Sequence, residues 1–99
     1  MTTSSVITDN STRQRFELDV AGGKAFIDYL RDGSVLTLAY AEVPAHLRGG
    51  GVGAALVEGT LALVRQRGEK VIPGCSFVAA YIARHPEVQD LLAERSQVR

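Results

Sequence analysis

Apolar and polar residues alternate from about residue 13 onward. "RQRFELDV" (13–20) has the period of two that marks a strand, and "AGG" (21–23) is a turn signal. "KAFIDYL" (24–30) predicts a second strand, with Ala25, Ile27 and Tyr29 on one face and Phe26, Asp28 and Leu30 on the other. "RDGS" (31–34) contains Asp-Gly, which predicts a type I′ hairpin turn with positive φ at both central residues. The third strand, "VLTLAYAEV" (35–43), follows and stops at Pro44. Three strands joined by tight turns make an antiparallel meander.

The period then changes. "VGAALVEGTLALVRQRG" (52–68) predicts a helix with Val52, Leu56 and Leu63 on one side and Val57, Leu61 and Val64 beside them. That leaves Glu58, Arg65 and Arg67 for solvent and Gly68 as the terminating residue. "EKVIP" (69–73) predicts a fourth strand, laid parallel to the third by a right-handed crossover. "SFVAAYIAR" (76–84) and "EVQDLLAER" (87–95) predict two short helices. Residues 1–12, rich in Ser, Thr and Asn, are expected to be loose, with a single domain over 13–95. The predicted class is α/β in the broad sense: an α+β mixed sheet built from a meander, a βαβ unit and C-terminal helices.

Composition narrows the functions. A 99-residue chain supports one core. Lys plus Arg equals Asp plus Glu at 11 each, so the basic footprint of a nucleic-acid binder is missing. Apolar runs fall far short of the roughly 20 residues that span a bilayer, and "MTTSSVITDN" does not read as a signal peptide. No nucleic-acid or membrane partner is therefore expected. A lone Cys75 forms no internal disulfide, which makes a reducing cytoplasm the simplest setting. Two histidines and one cysteine without ligand spacing predict no metal site.

One stretch breaks the economy of the pattern. "HLRGGGVG" (46–53) holds four glycines at the mouth of the long helix. Helix N-termini carry unpaired N–H groups and a partial positive charge, and glycines let an anion approach the backbone. Arg48-x-x-Gly51-x-Gly53 is neither a Walker A loop nor a dinucleotide fingerprint. It resembles the acyl-coenzyme A signature of the GCN5-related N-acetyltransferase superfamily. The ordered set "EVPAHLRGGGVG" and "PGCSFVAAYIARHPE" is similar to a small single-domain branch of it, and the resemblance runs over about 13–92.

That resemblance implies acetyl-coenzyme A as donor, with its pyrophosphate on the N–H groups of Arg48, Gly49, Gly50, Gly51, Val52, Gly53 and Ala54. It also implies that the strand around Glu42 and Val43 pairs with the pantetheine arm. Gly49 and Gly50 lie outside the motif and are expected to leave loop N–H groups free to turn inward.

Acetyl transfer to an amine requires deprotonation of the amine, oxyanion stabilisation and protonation of the leaving thiolate. Cys75 precedes a predicted helix, whose N-terminus lowers thiol pKa, yet lone cysteines are mostly small buried hydrophobes. The resemblance marks Cys75 as functional, with nucleophile, proton donor and wall of the thioester site all open. It marks Tyr81 as the acid for the thiolate, against the alternative of an aromatic core residue. Where the branch usually carries a histidine, considered a catalytic base, this chain has Tyr40, with Glu42 two residues on and hence on the same strand face. His46 and His85 read as structural, since Pro86 ends one helix at His85.

The expected function is acetyl transfer from acetyl-coenzyme A to a primary amine, on a peptide, protein or small molecule. The alternatives are a coenzyme A-binding or regulatory module without efficient turnover, and an interaction domain whose glycine loop is purely structural. The short N-terminal side predicts an open acceptor side, suited to a large or peptide-like substrate or completed by a second subunit. Oligomeric state is not legible in the chain.

Overall fold

The computed structural model describes residues 7–93. Five strands, β1 (Ile7–Asn10), β2 (Arg15–Val20), β3 (Gly23–Asp32), β4 (Val35–Glu42) and β5 (Lys70–Pro73), form one sheet in the order β1-β2-β3-β4-β5. The first three pairings are antiparallel; β4 and β5 are parallel, connected by helix α1 (Val52–Gln66). Helix α2 (Ser76–Ala83) follows β5, and a 3-10 helix covers Pro86–Leu91. The mixed sheet, meander and helical crossover are those expected.

Alternation decides which face is buried. Phe16, Leu18, Ala25, Ile27, Tyr29, Leu36 and Leu38 form the inner face of the sheet. Leu56, Val57, Leu61 and Val64 of α1 and Val78 and Ile82 of α2 close over it in a single core. The opposite face carries ion pairs: Arg15 meets Asp28 at 3.1 Å and lies 3.8 Å above the Phe26 ring, and Lys24 meets Asp19 at 2.6 Å. Such a face is content in water, so no covering helix is required there.

Four local expectations change. Residues 7–10, placed in a loose N-terminus, form β1; Asp9 accepts from Tyr29 Oη at 2.7 Å and from Arg67 at 2.8 Å. Composition did not reveal this strand because side-chain clasps from β3 and α1 hold it. Residues 1–6 lie outside the described residues. In the β3–β4 hairpin the central pair is Gly33-Ser34, since Asp32 pairs with Val35, and positive φ falls on Gly33 alone. That is the pattern of a type II′ turn, not I′. The helix expected over 87–95 is a six-residue 3-10 turn. Leu92 then bridges to Val71, and Ala93 N–H donates to Val71 O at 2.9 Å, because the free edge of β5 offers an acceptor that a continued helix would leave bare; residues 94 and 95 are outside the described range. Arg65 and Arg67 are exposed but engaged, Arg65 with both carboxylate oxygens of Asp90 and Arg67 with Asp9.

Two features of β4 prepare the site. The β3–β4 register skips Ala39, passing from Tyr29↔Leu38 to Asp28↔Tyr40. This bulge shifts the alternation by one residue. Leu36 and Leu38 face the core before it, Ala41 and Val43 pack on the core after it, and Tyr40 turns to the Phe26 face, ring centroids 6.1 Å apart. Pairing with β5 also ends early, at Leu38↔Pro73 plus one bond from Gly74 N–H to Leu38 O. From Ala39 to Glu42 the edge of β4 away from β3 has no strand partner among the described residues.

Candidate functional site

Beyond β4, residues 45–47 make one 3-10 turn and the chain enters α1 through the glycines. Gly49 and Gly51 sit at φ 86° and 88°, the left-handed region that side-chain-bearing residues avoid. Gly50 does not need that freedom, and its N–H is bonded to Leu47 O at 3.3 Å. The expectation that Gly49 and Gly50 leave loop N–H groups free is therefore corrected for Gly50. Gly49 N–H has no acceptor among the described residues and its positive φ shapes the turn, whereas Gly50 donates inside it. Arg48 N–H is likewise used, on Ala45 O at 3.3 Å.

Apart from Gly49 N–H, the free donors form a continuous run that starts at Gly51. The first helical bond runs from Ala55 N–H to Gly51 O. No side chain caps the helix and no acidic residue lies in its first turn. The N–H groups of Gly51, Val52, Gly53 and Ala54 thus have no acceptor among the described residues. A positive helix end is left open, which is the arrangement that receives anions.

This end opens onto a cleft of about 440 Å³ lined by the end of β4 and the residue after it (Ala41, Glu42, Val43), by Arg48, Gly49, Gly51, Gly53 and Ala54, and by one stripe of α2 with its C-cap (Phe77, Tyr81, Arg84). The unpaired edge of β4 and the open end of α1 therefore share one cavity. Arg48 Nε donates to Val43 O at 3.0 Å, folding the guanidinium across the loop and leaving its outer N–H groups available. Arg48 and Arg84 make the lining cationic, with Glu42 as its one carboxylate.

Tyr81 is only 8 % exposed, yet it lines this cleft. Its ring stacks on His85, centroids 3.9 Å apart and planes 12° from parallel, and His85 Nδ1 donates to Tyr81 O at 2.7 Å. Burial, then the charges of Glu58 and Glu87, push the Tyr81 phenol above its ordinary value. It holds its proton at neutral pH, as a donor must. Tyr81 also borders a broader groove of about 1000 Å³ along α1, where Arg65, Glu58 and Glu87 lie. That groove has no run of free main-chain donors.

The remaining sequence candidates are spread out. Tyr40 is exposed and outside the cleft; its hydroxyl donates to Glu42 Oε1 at 2.6 Å, and that hydrogen bond raises its pKa. Cys75 is the N-cap of α2, packed against the edge of the core, and does not line the cleft. His46 Nε2 donates to Ala21 O at 3.0 Å, tying the loop to the β2–β3 turn. Phe77 and Arg84 were not singled out in the sequence. Their spacing, four before and three after Tyr81, was the available signal, because those positions share a helix stripe. Phe77 also explains Gly53: a Cβ there would stand 2.8 Å from Phe77 Cζ.

Among the described residues no helix is long and apolar enough to cross a membrane, and no cluster of His, Cys, Asp or Glu is arranged to hold a metal. The family model for GCN5-related N-acetyl-transferase matches residues 15–91. Among solved structures, the chain is similar to the NMR solution structure of a "GCN5-like putative N-acetyltransferase" from Staphylococcus aureus. The two share 23% identity over 93% of this chain and 91% of that one, with a TM-score of 0.68, a likeness of fold. No curated protein matches. The matched span takes in the meander, the glycine loop and both helices of the cleft, and the chain belongs to the GCN5-related N-acetyltransferase family.

Proposed function

We propose that the protein binds acetyl-coenzyme A in the β4–α1–α2 cleft and passes the acetyl group to a primary amine. The observation that carries this reading is the coincidence, in one cavity, of an uncapped helix N-terminus, an unpaired strand edge and a buried phenol. These match the parts of the ligand. N–H groups of Gly51 to Ala54 and the Arg48 guanidinium suit a pyrophosphate, the free β4 edge from Ala39 to Glu42 suits an amide-bearing arm, and Tyr81 suits a departing thiolate. A cleft of this size falls within the roughly 300–1,000 Å³ of small-molecule sites.

The bound donor supplies an acetyl thioester, whose C–S bond breaks as the C–N bond to the amine forms. Tyr81 gives its proton to the sulfur and regains one from solvent. Glu42 accepts the amine's proton directly or through Tyr40, whose hydroxyl it already holds. Cys75 packs on the core and is not among the cleft's lining residues, which favours direct transfer over an acetyl-cysteine. The bare, ion-paired face beside Tyr40 suits an acceptor presented from solvent, such as a peptide amine.

Saturating acetyl-coenzyme A at 100 times its dissociation constant should stabilise the fold by about 2.7 kcal/mol, raising Tm by on the order of 10 °C. No shift would remove the coenzyme A reading. A second reading, binding without efficient turnover, is favoured by Tyr40 alone, which stands where the family's base is expected and keeps its own proton, donated in a hydrogen bond to Glu42. Thiol release over a panel of amines separates the two: a thermal shift without release selects the second.

A further inference from the structure

The two arginines of the cleft differ from the arginines that brace the fold. Arg15, Arg31, Arg65 and Arg67 each hold a carboxylate, on Asp28, Glu69, Asp90 and Asp9. Arg48 holds a main-chain carbonyl, and Arg84 holds no acid among the described residues. Arg84 is nonetheless well placed. It is the C-cap of α2, its N–H bonded to Ala80 O at 3.2 Å and Tyr81 O at 3.1 Å, and the residue after it is locked onto Tyr81 by ring stacking. Arg84 is solvent-exposed, has no acid partner among the described residues and lines the cleft, so its guanidinium is available to an anion bound there.

We propose that Arg84 is the second phosphate-binding cation of the cleft and takes the 3′-phosphate of coenzyme A, leaving the pyrophosphate to Arg48 and the N-terminus of α1. The assignment rests on the coenzyme A reading above. Coenzyme A presents two separate anionic groups, a pyrophosphate diester and a phosphate monoester. The loop side of the cleft satisfies one, with Arg48 and the N–H groups of Gly51 to Ala54 concentrated there. Arg84 lines the same cleft from a different element, the C-terminal end of α2, and is the cation there that the loop does not use. A guanidinium suits a phosphate monoester because its fork matches two of the oxygens. The competing role for a cation at this position is to interact with the C-terminal end of the α2 dipole. That role involves stability alone and cannot distinguish one nucleotide from another.

Calorimetric titration of coenzyme A and 3′-dephospho-coenzyme A into the wild type, Arg84→Gln, Arg84→Lys and Arg48→Gln decides the matter, with the folded state of each checked by circular dichroism. Wild type should prefer coenzyme A by about tenfold or more. Arg84→Gln should lower coenzyme A affinity to the dephospho level while leaving dephospho-coenzyme A unchanged, and Arg84→Lys should keep part of the preference. Arg48→Gln should weaken both alike. Equal wild-type affinities, or a parallel loss of both in Arg84→Gln, would overturn the assignment while the coenzyme A reading stands. A wild type that binds neither nucleotide removes both.

Discussion

Replacing Gly51 by alanine adds one methyl group at φ 88°, where it meets no heavy atom within 4 Å. The cost is therefore conformational and not steric. A residue with a side chain loses about 1–2 kcal/mol in the left-handed region, offset in part by the smaller entropy of its unfolded chain. A net destabilisation of about 1 kcal/mol follows, and the same value applies to Gly49, at φ 86° with equally open space. Gly50→Ala is the internal control. Its backbone is ordinary, and the new methyl would lie 3.4 Å from Leu47 O, a normal contact, so the change should stay within about 0.5 kcal/mol. In a domain of this size 1 kcal/mol is worth about 4–8 °C in Tm, which thermal or urea unfolding resolves easily. Equal losses in all three variants would refute the assigned loop geometry, and with it the claim that Gly49 and Gly51 set the turn that aims the N-terminus of α1. Acetyl-coenzyme A titrations of the same variants then add a second layer. Loss of affinity in Gly51→Ala beyond its stability change reports how closely the ligand approaches that residue.

Tyr81→Phe should lower kcat about a hundredfold with little change in KM for acetyl-coenzyme A, whereas Cys75→Ala should keep most of the rate; the reverse pattern in thiol-release kinetics would move the chemistry to the cysteine. Because Tyr81 is held protonated by burial and neighbouring carboxylates, the alkaline limb of kcat should lie above about pH 10, and a limb near pH 8–9 would assign the proton to another group. The same sign governs stability. Tyr81, and Tyr29 through burial and its bond to Asp9, favour the neutral phenol when folded, so their contribution is complete below the unfolded value near 10 and is lost as pH rises through the higher folded values. Urea unfolding between pH 8 and 11 should show that decline, with a smaller slope in Tyr29→Phe. Gly59→Ala brings a better helix former to α1, yet its Cβ would collide with Ile7 Cγ1. The overpacking of about 1–3 kcal/mol should outweigh the gain of about 1 kcal/mol from propensity, and a stabilised variant would show that β1 yields freely.

What could be read from the chain alone was whatever repeats with a fixed period or sits at a fixed offset. Alternation at 24–30 separated Ala25, Ile27 and Tyr29 from the outer face, and the stripe of α1 identified Leu56, Val57, Leu61 and Val64, because burial of one face is what a period of 2 or 3.6 encodes. The glycine loop was equally legible, since Arg48, Gly51 and Gly53 lie within one short segment whose backbone demands are local. Gly68 was too: Gly68 N–H to Arg65 O and Glu69 N–H to Val64 O close α1 with the expected motif.

The rest depended on distant segments meeting. Unbroken alternation would carry Tyr40 and Glu42 to the core face with Leu36 and Leu38. The bulge at Ala39, visible only in the pairing with β3, sends Tyr40 to the opposite side. Likewise β1 exists because Asp9 finds Tyr29 and Arg67, and the C-terminal segment leaves helix because Val71 O is free on the edge of β5. Cys75 and Tyr81 are six positions apart on one short segment, yet only packing decided that Tyr81 lines the cleft while Cys75 packs on the core outside its lining. The sequence by itself thus determined four of the sheet's five strands, its buried face and the glycine loop, all consequences of local periodicity and backbone freedom. Only the tertiary structure decided which side chains share the cavity with that loop, because a cavity is a relation between elements: where β5 stops beside β4, how α2 lies against α1, and that Arg84 lines the same cleft as Arg48.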